Sequence, residues 1–414
     1  MGETEPPRRA AVAVRVLRIA GGGDGVARLD DGLTAFIPRT APGDLVTLGQ
    51  VQRRRGFARA RVAEVLERGP DRVAPLCPHY TADACGGCQL QHLSADAQRA
   101  ARRRIVGDAL RRIGKRDVED PVIEPAAAEW AYRTRLSLHA VNGRIGLRPL
   151  DRPDDAFDLE RCLIADVELQ DLWSHVRRLR HLLPSGLTRL SLRHSRTGLL
   201  HLLADLPAGA AWPDAPQLAA QLADQGVSAA LWVRPAGGQL VRVAGEVDEY
   251  PAASFEQVNP AMGARIRSAA VAALDPQPGE EVWDLYAGVG ETTALLAALG
   301  ASVSSVELDP EAVAWATRHG PPARRHAAAV ESVLSMLPRP GAVITNPPRT
   351  GMHQQAVSQL SAASPRRIVY ISCDAATLAR DLSRLPDYSL SGLTAYDLFP
   401  QTAHVETVAV LERA

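Results

Sequence analysis

Cys373 stands where a thiol can act as a nucleophile. The apolar run at residues 368–371 predicts a buried strand and a helical pattern begins near Leu378, so Cys373 falls on the turn between them. Open α/β sheets bind ligands at the carboxyl ends of their strands, beside helix N-termini. The helix dipole favours a thiolate there, although a lone cysteine more often packs as a small hydrophobe. We predict that Cys373 is a reactive thiol.

Glu406 stands in an otherwise apolar stretch, residues 405–411, which predicts the last strand of the chain. A carboxylate that is buried without a partner is costly, so this glutamate is expected to be exposed, paired or functional. The pattern leaves all three roles open.

The other four cysteines are arranged as potential metal ligands. Three are close in sequence, where glycines let the backbone wrap around one centre, and the fourth lies far along the chain. They are Cys77, Cys85, Cys88 and Cys162. In a reducing compartment such a set binds metal more often than it forms disulfides. Four thiolates suit either a tetrahedral zinc ion or an iron–sulfur cluster, and the spacing does not choose between them.

A cofactor site is predicted at a glycine-rich turn. A strand at 282–286 runs into Gly288 and Gly290, and the next strand ends at Glu307. Glycines let the backbone approach a ligand closely, and an acidic residue about twenty positions on suits a ribose hydroxyl. Because no third glycine follows at the dinucleotide spacing, the pattern favours a nucleoside cofactor without a pyrophosphate, such as S-adenosylmethionine.

Asn346 is a further candidate for ligand contact. It directly follows a strand at 343–345 and precedes two prolines, which make a rigid, extended loop at the carboxyl edge of the sheet. An asparagine side chain offers both a donor and an acceptor to a planar base. We predict a functional contact there rather than a plain loop.

The elements around these residues predict an α/β protein with three domains, a number that suits 414 residues. Five short strands in 1–68 predict a small barrel of the oligonucleotide-binding kind. The central region, 69–250, is rich in predicted strands and contains the four-cysteine set. Alternating strands and helices in 251–414 predict a doubly wound, Rossmann-like sheet that ends in an antiparallel strand pair.

Charge and hydropathy narrow the possible partners. Lys plus Arg and Asp plus Glu each number 47, so RNA binding must depend on local patches rather than on net charge. Arginines cluster on the last hairpin of the predicted barrel and on a helix predicted from Ser94 to Ile113. They are Arg53, Arg54, Arg55, Arg59 and Arg61, then Arg99, Arg102, Arg103 and Arg104. A solvated face explains either patch equally well. We see no long apolar run and no signal peptide, and expect a cytoplasmic protein without membrane contact.

Together these motifs resemble the RNA 5-methyluridine (uracil-C5) methyltransferase family, over nearly the whole chain. One branch of that family carries an iron–sulfur cluster and acts on 23S ribosomal RNA, and another acts on transfer RNA. The order Gly-Asp-Gly-Val-Ala-Arg, Phe-Ile-Pro and Pro-Gly-Asp-Leu-Val in the first 50 residues also resembles the TRAM domain, an RNA-binding barrel.

The resemblance implies a class I methyltransferase fold and a role for each group of residues. Cys373 matches the nucleophile and Glu406 the general base. A [4Fe-4S] cluster is implied at Cys77, Cys85, Cys88 and Cys162. Contacts with S-adenosylmethionine are implied for Gln257, Tyr286, Gly288, Gly290, Glu307 and Asn346. Asn346 replaces the family's usual aspartate, and Glu291 stands where a small polar residue is common.

The implied reaction is methyl transfer to C5 of uracil in RNA. A thiolate adds to C6, C5 attacks the methyl group, and a glutamate removes the C5 proton, for which the base must leave its stack. The resemblance implies RNA as the partner, with ribosomal RNA favoured over transfer RNA, and a monomeric protein. Two other functions stay open, a non-catalytic cluster-stabilised RNA-binding protein and an RNA cytosine-C5 methyltransferase. Cytosine enzymes usually carry proline where this chain has Ser372.

Overall fold

The computed structural model describes residues 13–247 and 249–413. The polar residues 1–9, whose sequence predicts a loose tail, lie outside the described residues. The first five strands close a barrel in the order β1-β2-β3-β5-β4. They are β1 (Ala13–Ile19), β2 (Gly25–Arg28), β3 (Thr34–Ile37), β4 (Leu45–Arg54) and β5 (Phe57–Glu67). Alternate residues of β1, among them Val14 and Val16, point into the barrel, as the period of two for strands requires. The predicted barrel is therefore confirmed.

The central part of the chain forms a six-stranded sheet, in the order β12-β11-β10-β9-β7-β8, with helices packed on it. The elements between the barrel and residue 247 are α1 (Pro78–Thr81), α2 (Ala95–Arg112), β6 (Val122–Glu124), β7 (Arg135–Val141), β8 (Arg144–Gly146), α3 (Val167–Arg178), β9 (Arg189–His194), β10 (Leu200–Leu206), α4 (Ala215–Asp224), β11 (Ala229–Pro235) and β12 (Val241–Gly245). Asn142 and Gly143 join β7 to β8 with φ of 51° and 76°, as a two-residue hairpin turn needs.

The C-terminal part forms an eight-stranded sheet in the order β15-β14-β13-β16-β17-β19-β18-β6. Its elements are α5 (Pro260–Leu274), β13 (Glu281–Leu285), α6 (Glu291–Ala298), β14 (Ser302–Glu307), α7 (Pro310–His319), β15 (Arg324–Ala327), α8 (Val330–Val333), β16 (Ala342–Thr345), α9 (Gln354–Ala363), β17 (Arg367–Ser372), α10 (Ala375–Ser383), β18 (Tyr388–Tyr396) and β19 (Glu406–Arg413). β13 to β17 are parallel, and β19 runs antiparallel between β17 and β18. The predicted doubly wound fold is confirmed.

Both faces of this sheet are buried, which explains the unbroken apolar runs of its strands. In β17, Ile368 and Tyr370 pack into the core on the side of α9 and α10, while Val369 and Ile371 pack on the side of α5. The carboxyl ends of β13, β14, β16 and β17 therefore meet at one edge, where the predicted active residues lie.

Two elements from the part of the chain before residue 250 pack with this C-terminal part of the fold. β6 extends it at the far edge, parallel to β18, and α2 packs against α10. Ser94 caps α2 as predicted, because its Oγ accepts a hydrogen bond from the backbone N–H of Ala97.

Arg102 of α2 is buried, although its sequence position predicted an exposed side chain. Its position off the apolar stripe predicted a solvated or RNA-binding side chain, yet it is 1% exposed and contacts Asp397. The prediction is wrong because the helix is buried on a second side, by the chain that leads out of β18. No helix in residues 13–247 and 249–413 has the length and apolar character to cross a membrane.

Candidate active site

The two predicted catalytic residues meet at the carboxyl end of β17. Ser372 pairs with Thr407 in the antiparallel register of β17 and β19. Cys373 is the next residue after Ser372, and Glu406 directly precedes Thr407, so both lie at the same end of this strand pair. The charge of Glu406 influences the pKa of the Cys373 thiol, as expected for neighbours.

The Cys373 thiol is half-buried, and its protonated form is favoured. Burial, followed by the charge of Glu406, raises the pKa of this thiol to about 11, against the opposing effect of Arg349. The net shift is therefore upward, opposite to the shift that the helix dipole alone would give. The first N–H groups of α10 are occupied by its own capping residue, because Asp374 Oδ1 accepts hydrogen bonds from Ala376 and Thr377.

Glu406 is 1% exposed, which leaves pairing or function as the explanation for its position. Its Oε2 makes no hydrogen bond to any of the residues that the structure describes. Burial raises the pKa of this carboxyl to about 8, and only the charge of Arg349 opposes the shift. A carboxyl poised near neutral pH is suited to accept a proton.

Arg349 is a third member of the site that the sequence patterns did not single out. Its side chain hydrogen-bonds the thiol of Cys373, and its charge lowers the pKa values of both Cys373 and Glu406. Its position in the sequence could have indicated this role, because Arg349 directly follows Asn346 and two prolines in a loop that leaves the carboxyl end of β16. A fixed positive charge beside the thiol favours its ionised form.

The glycine-rich turn after β13 forms the second predicted site. Tyr286, Gly288 and Gly290 have φ of 61°, 55° and 83°, so the chain turns sharply before α6 begins. Glu307, at the end of β14, accepts a 2.8 Å hydrogen bond at Oε2 from the backbone N–H of Gly288. One pocket is lined by Gln257, Tyr286, Gly288 and Asn346 together, while Gly290 and Glu307 frame the turn beside it.

Two acidic residues at this pocket were not predicted as site residues. Asp284 is buried, and burial raises the pKa of its carboxyl to about 6, although Thr293 donates a 2.6 Å hydrogen bond to it. Glu291 forms ion pairs with Arg267 at 2.7 Å and with Arg196 at 3.2 Å. Arg196 comes from the central sheet, so the unusual Glu291 ties that sheet to the pocket.

The four remaining cysteines line one cavity of about 370 Å³. Burial raises the pKa of the Cys85 thiol to about 12 and also raises the pKa values of Cys88 and Cys162. Buried thiols with a raised pKa lose their protons readily only beside a bound cation. The same cavity reaches Arg349 and His404, at the catalytic edge of the C-terminal sheet.

Comparisons with known proteins agree with this arrangement. A family model described as tRNA (Uracil-5-)-methyltransferase matches residues 339–414, which contain Cys373 and Glu406. A 23S rRNA (uracil(1939)-C(5))-methyltransferase of Methylococcus capsulatus is 31% identical, over 100% of this chain and 99% of that protein. The chain belongs to the RNA uracil-C5 methyltransferase family. It is therefore an RNA (uracil-5-)-methyltransferase.

Further members of the family show the same full-length likeness. An enzyme of Xanthomonas euvesicatoria, also described as a 23S rRNA (uracil(1939)-C(5))-methyltransferase, is 33% identical over 94% of this chain and 95% of its own. The fold matches that of the Pyrococcus abyssi tRNA (uracil-54, C5)-methyltransferase, solved with S-adenosyl-L-homocysteine, at a TM-score of 0.75 and 23% identity. That match covers 96% of this chain and 99% of the other.

Proposed function

We propose that this methyltransferase forms 5-methyluridine in ribosomal RNA, with S-adenosylmethionine as methyl donor, Cys373 as nucleophile and Glu406 as general base. The observation that carries the proposal is the meeting of these two residues beside Arg349 at one end of β17. Relatives described as 23S rRNA enzymes support ribosomal RNA as the substrate.

The reaction needs the thiol because C5 of uracil is a weak nucleophile. Addition of the Cys373 sulfur to C6 forms a carbon–sulfur bond and moves an electron pair toward C5 and O4. S-adenosylmethionine would supply an electrophilic methyl group, which becomes bonded to C5 as its bond to the sulfonium sulfur breaks and S-adenosylhomocysteine leaves. Glu406 then takes the C5 proton, the double bond between C5 and C6 re-forms, and the carbon–sulfur bond to Cys373 breaks.

Arg349 explains how a thiol with a raised pKa can react. Its positive charge opposes the causes of the raised pKa of Cys373, of which burial and the charge of Glu406 are the largest. Protonation of Glu406 removes the second cause, since a neutral carboxyl no longer repels the thiolate. Glu406 must afterwards be deprotonated to accept the C5 proton, and its pKa of about 8 allows both states near neutral pH.

The methyl donor is proposed to bind at the turn after β13. Glu307 is suited to the ribose hydroxyls, because its carboxylate already fixes the Gly288 backbone. Gln257, Tyr286 and Asn346 line the pocket, and Gly288 and Gly290 let the backbone approach the ligand. Asn346, in place of the family's usual aspartate, adds an amide donor there.

Glu307→Gln is expected to weaken S-adenosylmethionine binding roughly 10- to 100-fold, the cost of losing hydrogen bonds to a charged group. Isothermal titration calorimetry of the full chain measures this change. Glu311→Gln is the matched control, because Glu311 is an exposed residue of α7 and its loss should not change the affinity. Equal affinities for both variants would remove Glu307 from the donor site.

The four-cysteine cavity is proposed to hold a [4Fe-4S] cluster. Cys77, Cys85, Cys88 and Cys162 line one cavity of about 370 Å³, three of them close in sequence and one far along the chain. A cluster binds each cysteine to its own iron, which suits four thiols arranged around one cavity. Zinc sites more often carry two pairs of closely spaced ligands.

Cys85→Ser and Cys162→Ser are each expected to reduce bound iron from about four atoms per chain to a small fraction, because the cluster needs all four thiolates. Iron and sulfide are measured after anaerobic reconstitution. Cys373→Ala is the matched control and should keep iron and sulfide in a one-to-one ratio. Zinc without sulfide in the wild-type protein would contradict the cluster.

The proposed roles of the three domains rest on the resemblance to the RNA uracil-C5 methyltransferase family and to the TRAM domain. We propose that 1–68 is a TRAM-like RNA-binding barrel, 69–250 a cluster-binding domain and 251–414 the methyltransferase domain, in a monomeric, cytoplasmic enzyme. Arg53 pairs with Asp31, and Arg61 pairs with Asp151 at 3.1 Å. Arg54, Arg55 and Arg59 of the same hairpin are exposed and remain the better candidates for RNA phosphates.

The test is methylation of ribosomal and transfer RNA from a strain that lacks this gene. The purified protein and S-adenosylmethionine are added, and the nucleosides are analysed by mass spectrometry. We expect 5-methyluridine in ribosomal RNA alone, at one mapped position. Labelled 5-methylcytidine would contradict the base assignment, methylation of transfer RNA would contradict the substrate, and no methylation by cluster-loaded protein would contradict the enzyme.

A further inference from the structure

The loop that leads to Glu406, residues 397–405, is held from outside the C-terminal sheet. It connects β18 to β19, and its backbone carbonyls accept hydrogen bonds from residues that lie about 270 to 310 positions earlier in the chain. The Tyr132 hydroxyl donates to Pro400 O at 2.9 Å, and the Leu90 backbone N–H donates to Gln401 O at 3.0 Å. Leu90 lies two residues after Cys88, and Phe399, Thr402 and His404 of the loop line the cysteine cavity.

Arg102 of α2 makes the most extensive of these contacts. Its guanidinium donates to the carbonyls of Thr402 at 2.9 Å and Phe399 at 3.3 Å. A further nitrogen lies 2.9 Å from the Asp397 carboxylate, and both side chains are fully buried. One planar side chain thus fixes the start, middle and end of the turn, which suits the rigid fork geometry of arginine.

Gln98, one helical turn before Arg102, holds the strained residue of the loop. Gln401 has a φ of 70°, a left-handed conformation that is costly for a residue with a side chain. The Gln98 side chain accepts a 2.9 Å hydrogen bond from the Gln401 backbone N–H, and it donates a 3.0 Å bond to the Gln401 side chain. This conformation therefore depends on a residue of α2.

We propose that Gln98 and Arg102 are positioning residues, which hold the 397–405 loop so that the Glu406 carboxylate faces C5 of the target uracil. This inference rests on the proposed function, because it assigns Glu406 the C5 proton. Neither residue touches the reacting atoms. Glu406 begins β19 immediately after the loop, so a shift of the loop displaces its carboxylate. Cys373 lies between β17 and α10, and none of these hydrogen bonds involves either element.

The two catalytic residues therefore respond differently to loss of the contacts. Thiol addition and methyl transfer depend on Cys373 and the donor pocket, and they precede the step that Glu406 performs. Removal of the C5 proton depends on the loop. A displaced base therefore leaves the methylated uridine bonded to Cys373, because the carbon–sulfur bond breaks only when the proton leaves.

The test compares Gln98→Leu and Arg102→Lys with wild type, and with Arg112→Met as matched control on an exposed position of α2. The substrate is ribosomal RNA from a strain lacking the gene. We expect kcat to fall roughly 10- to 100-fold in both variants, as a misplacement of about 1 Å does. We also expect a protein–RNA adduct, visible on denaturing gels at steady state, that wild type and Arg112→Met do not accumulate. Because the slowed step follows adduct formation, KM should fall together with kcat, while kcat/KM and donor affinity stay unchanged.

A second substrate separates positioning from loss of structure. Ribosomal RNA transcribed with 5-fluorouridine carries no C5 proton, so the adduct with Cys373 forms without any action of Glu406. All four proteins should trap this RNA equally. Trapping that falls in proportion to kcat, or a kcat equal to that of Arg112→Met, would overturn the positioning role alone. A wild-type protein that neither forms 5-methyluridine nor traps the fluorinated RNA would overturn the proposed function as well.

Discussion

Cys373→Ala is expected to lower the rate of uridine methylation by roughly 10⁴-fold or more, as removal of a covalent nucleophile does in other enzymes. The remaining four cysteines line a cavity that does not include Cys373, and they are proposed to bind the cluster, so they are not expected to replace it. Incorporation of labelled methyl groups into ribosomal RNA measures the loss. The variant should also trap no 5-fluorouridine RNA, since the adduct requires this sulfur.

Donor binding provides the control for this variant. Cys373 lies outside the pocket that contains Gln257, Tyr286 and Asn346, so the affinity for S-adenosylmethionine should remain unchanged. A Cys373→Ala protein that binds the donor and methylates at nearly the wild-type rate would exclude covalent catalysis by this residue.

Glu406→Gln is expected to lower kcat by about 10²- to 10⁴-fold, the usual contribution of a general base. The amide cannot accept the C5 proton, so the methylated adduct with Cys373 should accumulate on natural RNA. The wild-type rate should rise with pH up to about 8, where the carboxyl ionises, whereas the residual rate of the variant should lack this ionisation.

Glu406→Gln should also increase the free energy of unfolding at alkaline pH. Burial raises the pKa of Glu406 from 4.5 to about 8, so between these values the folded state binds more protons than the unfolded state. The free energy of unfolding therefore falls as the pH rises through this window, by a few kcal/mol in total. Glutamine does not titrate, so Glu406→Gln should show a higher midpoint in urea denaturation at pH 9 and little gain at pH 5. An equal gain at both pH values would contradict a buried, titrating carboxyl.

Local patterns predicted the elements of this fold because they depend on neighbouring residues. The Asn142-Gly143 pair specifies its own hairpin through its positive φ angles. Alternation places Ile368 and Tyr370 on one face of the sheet in any context. The position of Cys373 between a strand and a helix is likewise a local feature, and so the sequence alone predicts it.

The features that were missed depend on contacts between distant parts of the chain. Arg102 has the spacing of a solvated residue, and its burial depends on Asp397, almost 300 positions later. Arg349 gains its role only when β16 and β17 lie side by side. The pKa of Cys373 is raised because burial and the charges of Glu406 and Asp374 together outweigh the opposing effect of Arg349. Sequence spacing contains none of these distances.

The pairing of β6 with β18 also determines when this protein can finish folding. Val122 pairs with Thr394, about 270 residues later, so β6 leaves the ribosome long before its partner strand is synthesised. At about 5–20 residues per second, that interval lasts roughly 15–50 s. During this time β6 and the face of α2 that later covers α10 remain available to chaperones and proteases. A slow step in translation between the codons for β6 and β18 should therefore reduce the yield of folded enzyme more than an equal delay before β6.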